Sequence, residues 1–226
     1  METKKTNSRR NFLNALALGT AASGLSLVNN NLNAAIPSIK DLDQGDAVKW
    51  INSIKGSHRI AYDGSMPHDG FPIIWTWAFY ESNNETGSPD SDITAVCVLR
   101  HKAIPFAFND SIWEKYPIGE VFEIKDNKTG VASKRNLYYE PTLGDFPLPQ
   151  VQGIKQMQER GAMFCVCDLA TKVYSGAIAS AMNLEPEKVY RDMVDNILPG
   201  IQLVPSGVWA LGRAQANKCG YIYAGG

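Results

Sequence analysis

Short apolar runs recur along this chain, and most are followed by a segment in which apolar positions repeat at helical spacing. The runs lie at residues 58–63, 92–101, 161–169, 201–204 and 221–223, and each has the composition of a strand. The second run, DITAVCVLRH, is apolar at consecutive positions, which is typical of a strand covered on both faces in a parallel sheet. Strands that alternate with helices in this way predict a three-layer α/β/α sandwich with a mostly parallel, five-stranded sheet.

The predicted helices have recognisable starts. Asp69 precedes Gly-Phe-Pro and is the expected N-cap of an apolar, aromatic helix that contains IIWTWAFYES. Ser111 opens the pattern S-I-W-E, a capping box for a short helix. Asp168 and Ser206 stand directly behind predicted strands, and we expect them to cap the helices that follow.

The regular alternation of strand and helix patterns is interrupted between residues 117 and 149. Prolines, glycines and a turn at residues 126–130 interrupt this stretch. We expect a surface insertion that consists of a hairpin and a loop, and we expect the α/β core to fold without it. Insertions of this length often act as lids, binding loops or oligomer contacts. Residues 36–226 are therefore predicted to form one domain with an insertion at about 117–149.

Residues 1–35 have the pattern of an export signal. Arg9 and Arg10 stand in the stretch S-R-R-N-F-L, which matches the twin-arginine motif. The apolar stretch behind them is too short and too rich in small polar residues to be a permanent membrane anchor. A disordered basic tail is the alternative interpretation. We expect the twin-arginine export machinery to act on this segment, and the mature protein to be periplasmic or otherwise exported, with no membrane segment.

The charge balance argues against nucleic acid as a partner. The whole chain has 22 basic and 23 acidic residues; four of the basic and one of the acidic ones fall in residues 1–35, which leaves 18 against 22. The predicted mature chain is thus mildly acidic, and it has no basic stripe with interleaved aromatic residues.

In an open parallel sheet, ligands bind beyond the carboxyl ends of the strands. In the predicted topology this edge collects His68, His101, Cys167, Asp168 and Ser206 around one mouth. Plainer roles exist for most of them, because the histidines can be solvated and the aspartate and serine can be helix caps. No close-spaced His or Cys pair supports a metal site, and no glycine-rich phosphate fingerprint follows a strand. We therefore expect neither a metal nor a cofactor.

Four cysteines are too few for a disulfide scaffold in a chain of this length. Cys165 and Cys167 share a face of their strand, but a separation of about 7 Å would strain a direct disulfide. We interpret Cys97 and Cys165 as packing residues and Cys167 as the exposed thiol at the strand tip. The helix behind Cys167 points amide groups at it, so we predict a modestly lowered pKa and faster alkylation than at the other three cysteines.

Three stretches of the mature chain resemble the DsrE-like family of sulfur-relay proteins. They are LRHKAIPFAFND with IWEKY, GAMFCVCDLA, and LPGIQLVPSGVWALGRAQ, of which the last is the most specific. The resemblance covers residues 58–223 and implies the three-layer fold and a homo-oligomer. In the sulfur-handling members a cysteine at the end of the central strand accepts persulfide sulfur, and its position corresponds to Cys167. The export signal and the 117–149 segment depart from the short, cytoplasmic carriers of the family.

Three interpretations of the function stay open on the sequence. The first is a thiol protein that handles sulfur or redox chemistry through Cys167, together with a donor or acceptor protein. The second is a non-catalytic module that binds a small ligand or a metal in the mouth between His68, His101 and the insertion. The third is an oligomeric interaction protein with an incidental thiol. The residues favour the first without deciding whether the protein is an enzyme.

Overall fold

The computed structural model of this protein describes residues 44–226, so the predicted export signal with Arg9 and Arg10 lies outside the described residues. Its helices and strands follow one another as α1 (Gln44–Ile51), β1 (His58–Gly64), α2 (Phe71–Glu85), β2 (Ile93–Leu99), α3 (Asp110–Lys115), α4 (Ile118–Val121), α5 (Ile154–Arg160), β3 (Met163–Cys167), α6 (Asp168–Met182), α7 (Pro186–Asp195), β4 (Ile201–Val204), α8 (Gly207–Ala216) and β5 (Gly220–Tyr223). Short 3₁₀ segments occupy His68–Gly70, Asp90–Asp92 and His101–Ala107. None of the helices in this part of the chain has the length and apolar character needed to cross a membrane.

The five strands form one sheet in the order β4-β3-β2-β1-β5, and every neighbouring pair is parallel. Side chains of β2 alternate between the two faces of this sheet. Val96 and Val98 pack with α1 and α8 on one face, whereas Ala95, Cys97 and Leu99 pack with α2, α5, α6 and α7 on the other. Helices cover both faces, so the predicted three-layer α/β/α sandwich with five strands is confirmed.

The 117–149 segment belongs to the larger of the two cores and does not extend from the surface. Phe122, Leu137 and Tyr138 are at most 2% exposed. The ring of Tyr138 packs edge-on against Phe106 in the third 3₁₀ segment, with the ring centroids 4.8 Å apart. The expectation of a surface excursion is therefore wrong, because the apolar side chains between its prolines and glycines complete the core on the α2 face.

A hairpin and a buried ion pair hold this segment in shape. The hairpin predicted around residues 126–130 is present, and antiparallel backbone hydrogen bonds close it. Arg135 donates two hydrogen bonds, of 2.5 and 3.0 Å, to the fully buried carboxylate of Asp145. Burial by itself would raise the pKa of Asp145, but the hydrogen bonds from Arg135 and Thr142 outweigh it and hold that pKa well below its usual range.

The starts of α2 and α3 differ from the predicted ones. Gly70, not Asp69, occupies the N-cap position of α2, and its φ of 82° is left-handed. Only glycine fits there, because an added Cβ would lie 2.8 Å from the ring of Tyr138. α3 begins two residues earlier than its capping box indicates, since Asn109 is the N-cap residue and its side-chain oxygen accepts the amide of Ser111 at 3.1 Å.

Candidate functional site

Cys167 lies at the carboxyl end of β3, at a point where two helices begin. It is the N-cap residue of α6, and its Sγ accepts a hydrogen bond from the amide of Ala170 at 3.3 Å. β4 pairs Val204 with Cys167, so α8 starts beside the same sulfur and directs the amide of Gly207 towards it. The sulfur therefore faces the amino ends of two helices, an arrangement that stabilises negative charge.

Burial nevertheless raises the pKa of the Cys167 thiol above its ordinary value. The residue is 5% exposed, and this desolvation outweighs the opposing hydrogen bonds from the amides of Ala170, Gly207 and Leu169. The negative charge of Asp168 raises the pKa further. The predicted exposure and the predicted lowering of the pKa are both wrong. The sequence shows where the helix begins, but not how completely the strand tip is covered.

The other three cysteines are also buried free thiols. Desolvation raises the pKa of Cys97 to about 12 and that of Cys165 well above its ordinary value. Desolvation also raises the pKa of Cys219. Within this group, Cys167 is distinguished by the helix amides that offset part of its burial.

Asp168 neither caps α6 nor faces the mouth of the sheet. It is the first residue of α6 and 1% exposed, and its carboxylate accepts hydrogen bonds of 2.6 Å each from Nζ of Lys172 and the hydroxyl of Tyr190. Cys167 takes the cap position one residue earlier, which turns Asp168 inwards. Ser206, in contrast, is confirmed as a cap, because its Oγ accepts a backbone amide of α8 at 3.2 Å.

The two predicted histidines lie towards the 117–149 segment. Nδ1 of His101 is 3.0 Å from the hydroxyl of Tyr174, and desolvation and neighbouring positive charges lower the pKa of this imidazole. His68 stacks on Phe71 with the ring centroids 4.6 Å apart, and its Nδ1 is buried with no hydrogen-bond partner among the described residues. Among the described residues, neither of these two imidazole rings forms a hydrogen bond with the thiol of Cys167.

A polar network that the sequence analysis did not predict lies at the same edge of the sheet. Arg100, directly behind β2, donates hydrogen bonds of 2.6 and 2.9 Å to the buried carboxylate of Asp63 in β1. The hydroxyl of Tyr221 in β5 donates to the same carboxylate at 2.8 Å. The Arg100 side chain packs over Gly207, where an added Cβ would lie 2.6 Å from that of Arg100. The position of Arg100 directly before His101, at a strand end, is the signal that could have indicated it.

A cleft of about 260 Å³ opens between the turn that follows β1 and the 117–149 segment. Its wall includes His68, Asp69 and Glu123, whose φ angles of 41°, 47° and 59° are left-handed. Residues other than glycine rarely adopt this backbone conformation, because it is sterically strained. Such strained residues occur most often at functional sites. The apolar part of the wall consists of Met66, Pro67, Phe122, Ile124 and Tyr138.

The predicted mouth residues separate into three places. The thiol and Ser206 lie at the two helix starts, Asp168 is enclosed between α6 and α7, and His68 lines the cleft with His101 nearby. Among residues 44–226, no group of three or more His, Cys, Asp or Glu side chains is arranged to hold a metal ion. Within residues 44–226, the thiol at the two helix starts and the cleft beside His68 are therefore separate places.

Comparison with known proteins assigns no family. No family model matches the chain, and no significant match occurs among the curated proteins or among the solved structures. The resemblance to the DsrE-like family therefore remains a hypothesis that rests on the three sequence stretches. The function has to be argued from the site.

Proposed function

We propose that this protein is a DsrE-like sulfur-handling protein in which Cys167 accepts a sulfur atom and holds it as a persulfide. The observation that carries the proposal is the position of Sγ between the amino ends of α6 and α8, with the amide of Ala170 at 3.3 Å. Both a thiolate and a persulfide are anions, and helix amides stabilise such charge where water is excluded. The family resemblance assigns the sulfur acceptor to a cysteine at the same position.

The transfer is an exchange between a thiolate and a donor persulfide. The Cys167 thiolate attacks the outer sulfur of the donor persulfide, the donor S–S bond breaks, and the donor leaves as a thiolate. One S–S bond forms and one breaks, so no external oxidant or reductant is consumed. Because burial raises the pKa of Cys167, the rate should rise with pH until the thiol is fully ionised.

A protein is the donor or acceptor that best suits a buried thiol with apolar surroundings. Leu169 and Val208, in the first turns of α6 and α8, are 47% and 66% exposed, so an approaching protein can cover them while it reaches the sulfur. The proposed homo-oligomer has a separate surface, the edge strand β5. There Tyr221, Ile222 and Tyr223 are 42–46% exposed, and no other strand of the described residues pairs with the outer side of β5.

Intact-mass measurement tests the sulfur acceptor. After treatment with a low-molecular-weight persulfide, the wild type should gain the mass of one sulfur atom, and a thiol reductant should remove it. Cys167→Ser should gain none, whereas Cys219→Ser, which removes another buried thiol, should gain it as the wild type does. Equal sulfur uptake by the Cys167→Ser variant would refute the assignment, as would a wild type that takes up no sulfur.

We also propose that the protein is exported by the twin-arginine machinery and works outside the cytoplasm. The support is the motif with Arg9 and Arg10 in front of an apolar stretch. Replacing both arginines by lysine keeps the charge but removes the motif, so the precursor should stay in the cytoplasm. Cell fractionation measures this, and normal amounts of exported protein from the double variant would contradict the proposal.

A second candidate function is the binding of a small ligand in the cleft beside His68. The specific observations are the volume of about 260 Å³, the left-handed backbone of its wall and the buried Nδ1 of His68, which has no hydrogen-bond partner in residues 44–226. A thermal-shift screen of small organic acids and amines should find a stabilising ligand whose effect is lost in His68→Ala. His58→Ala is the matched control, because His58 begins β1 at the opposite end and its Nε2 lies 2.9 Å from Ser88 Oγ. A ligand effect that survives in His68→Ala would exclude the cleft.

A further inference from the structure

An enclosed ion pair lies directly behind the thiol. Nζ of Lys172 is 2.6 Å from Oδ2 of Asp168, and both side chains are 1% exposed. The hydroxyl of Tyr190 donates to the other carboxylate oxygen at 2.6 Å, and Nζ lies 5.2 Å from the centroid of the Tyr190 ring. The carboxylate thus has a charged partner from α6 and a neutral partner from α7, with no access to water.

Such a pair is not explained by stability alone. Lysine and aspartate are almost never fully buried without a partner, and the cost of removing both charges from water offsets most of their attraction. Apolar residues of similar size would join α6 to α7 equally well. What the ion pair does provide is a cation on the carboxylate next to Cys167, which offsets part of the negative charge that this aspartate places beside the thiol.

We infer that Lys172 keeps Cys167 able to form its anion, by offsetting the negative charge that Asp168 places beside the sulfur. Lys172 does not touch the thiol, so it is a positioning residue that acts through the carboxylate. The proposed sulfur transfer needs the thiolate of Cys167, and Lys172 favours that thiolate, so the inference rests on the proposed function. Its test, however, measures only the ionisation of Cys167.

Other charged groups near the thiol already have partners of their own. At the end of β2, Arg100 is bound to Asp63, and the ring of His101 is engaged by a tyrosine of α6. On α7, Glu187 and Arg191 form an exposed ion pair of 3.0 Å. The first turn of α8 carries no charged side chain. Lys172 is therefore the cation that the fold assigns to Asp168.

The experiment follows the alkylation rate of Cys167 against pH in the full chain, by mass analysis of the peptide that carries it. Lys172→Met removes the cation from the Asp168 carboxylate and leaves the hydrogen bond from Tyr190 in place. The pKa of Cys167 should then rise by about one unit, which means about tenfold slower alkylation at a fixed pH below the pKa. Lys155→Met is the matched control, because it removes an exposed lysine bound to Glu140, and it should leave the profile unchanged.

The double variant Asp168→Asn/Lys172→Met separates charge from anchoring. It loses the negative charge together with the cation that offsets it, so its Cys167 profile should return to that of the wild type. A double variant shifted as far as Lys172→Met would overturn the inference, and so would an unshifted Lys172→Met. If Lys172→Met does not fold, Lys172→Gln removes the charge but keeps a hydrogen-bond donor for the same carboxylate, and it should slow Cys167 in the same direction. An unchanged rate in that variant would then be the refuting result.

The proposed function can fail separately. A wild type that takes up no persulfide sulfur, but shows the expected set of pH profiles, would disprove sulfur transfer and leave the role of Lys172 intact.

Discussion

Leu137 and Leu143 lie in the same 117–149 segment, but the first is 0% exposed and the second is 83% exposed. Leu137→Ala removes packed methyl groups and leaves a cavity in the larger core, which costs about 2–5 kcal/mol in free energy of unfolding. Leu143→Ala changes a side chain that is mostly in water, so it should stay within about 0.5 kcal/mol of the wild type. The same chemical change at two positions therefore measures burial alone.

Urea unfolding, followed by circular dichroism, converts these energies into midpoints. With a slope of about 2 kcal/mol per molar urea, Leu137→Ala should unfold at a urea concentration about 1–2.5 M lower than the wild type. Leu143→Ala should shift the midpoint by less than about 0.3 M. Equal slopes for the three proteins would show that the comparison reports stability and not a change in the unfolded state.

The reasoning would be refuted if both variants unfolded at the midpoint of the wild type. That result would mean that the segment does not pack into the core and is the surface excursion that the sequence indicates. A larger change checks the same point: replacement of 117–149 by a short Gly/Ser linker should abolish cooperative unfolding. A linker variant with a normal, sharp transition would contradict the packing of Leu137.

Two further predictions concern the ion pair of Asp145 and the close contact of Gly207 with Arg100. Asp145→Asn should lower the stability at pH 7 by about 1–3 kcal/mol, because hydrogen bonds from Arg135 to a carboxylate are lost. Since the folded pKa of Asp145 is depressed, its contribution is complete above the unfolded pKa of about 3.9 and is lost as the pH falls further. The urea midpoints of wild type and variant should therefore begin to approach each other below about pH 4 and converge only as the pH nears the depressed pKa of the folded state, and a constant difference would contradict this. Gly207→Ala should slow the alkylation of Cys167, because the new methyl group collides with Arg100 and displaces the amino end of α8. Gly212→Ala in the same helix has no atom within 4 Å of the added carbon and should leave the rate unchanged; equal rates in both variants would argue against a role for α8.

Much of the fold could be predicted because the strand signal is local. The run that contains β2 is continuously apolar from Ala95 to Leu99, and all of Ile93–Leu99 is buried, which requires a strand between two helix layers. The alternation with helices then makes a parallel sheet the natural arrangement. The position of Cys167 at the end of β3 could be predicted for the same reason.

The surroundings of the thiol could not be predicted in the same way. A one-residue shift in the start of α6 makes Cys167 the cap and turns Asp168 towards Lys172 and Tyr190. Helix starts carry an uncertainty of one or two residues even when the helix itself is certain. That small shift decides whether a carboxylate faces the solvent at the mouth or becomes half of an enclosed ion pair.

The local sequence pattern predicts the five strands, the layers of helices and the position of the thiol, because apolar periodicity depends on neighbours along the chain. Three features were decided only by the tertiary structure: the burial of Cys167, the packing of 117–149 into the core, and the contact of Asp63 with Arg100 and Tyr221. Tyr221 lies 158 residues from Asp63 in sequence, and the two meet only because β5 pairs with β1 at one register. Desolvation and hydrogen bonding act through space, so the ionisation of the thiol depends on contacts that no local stretch of sequence contains.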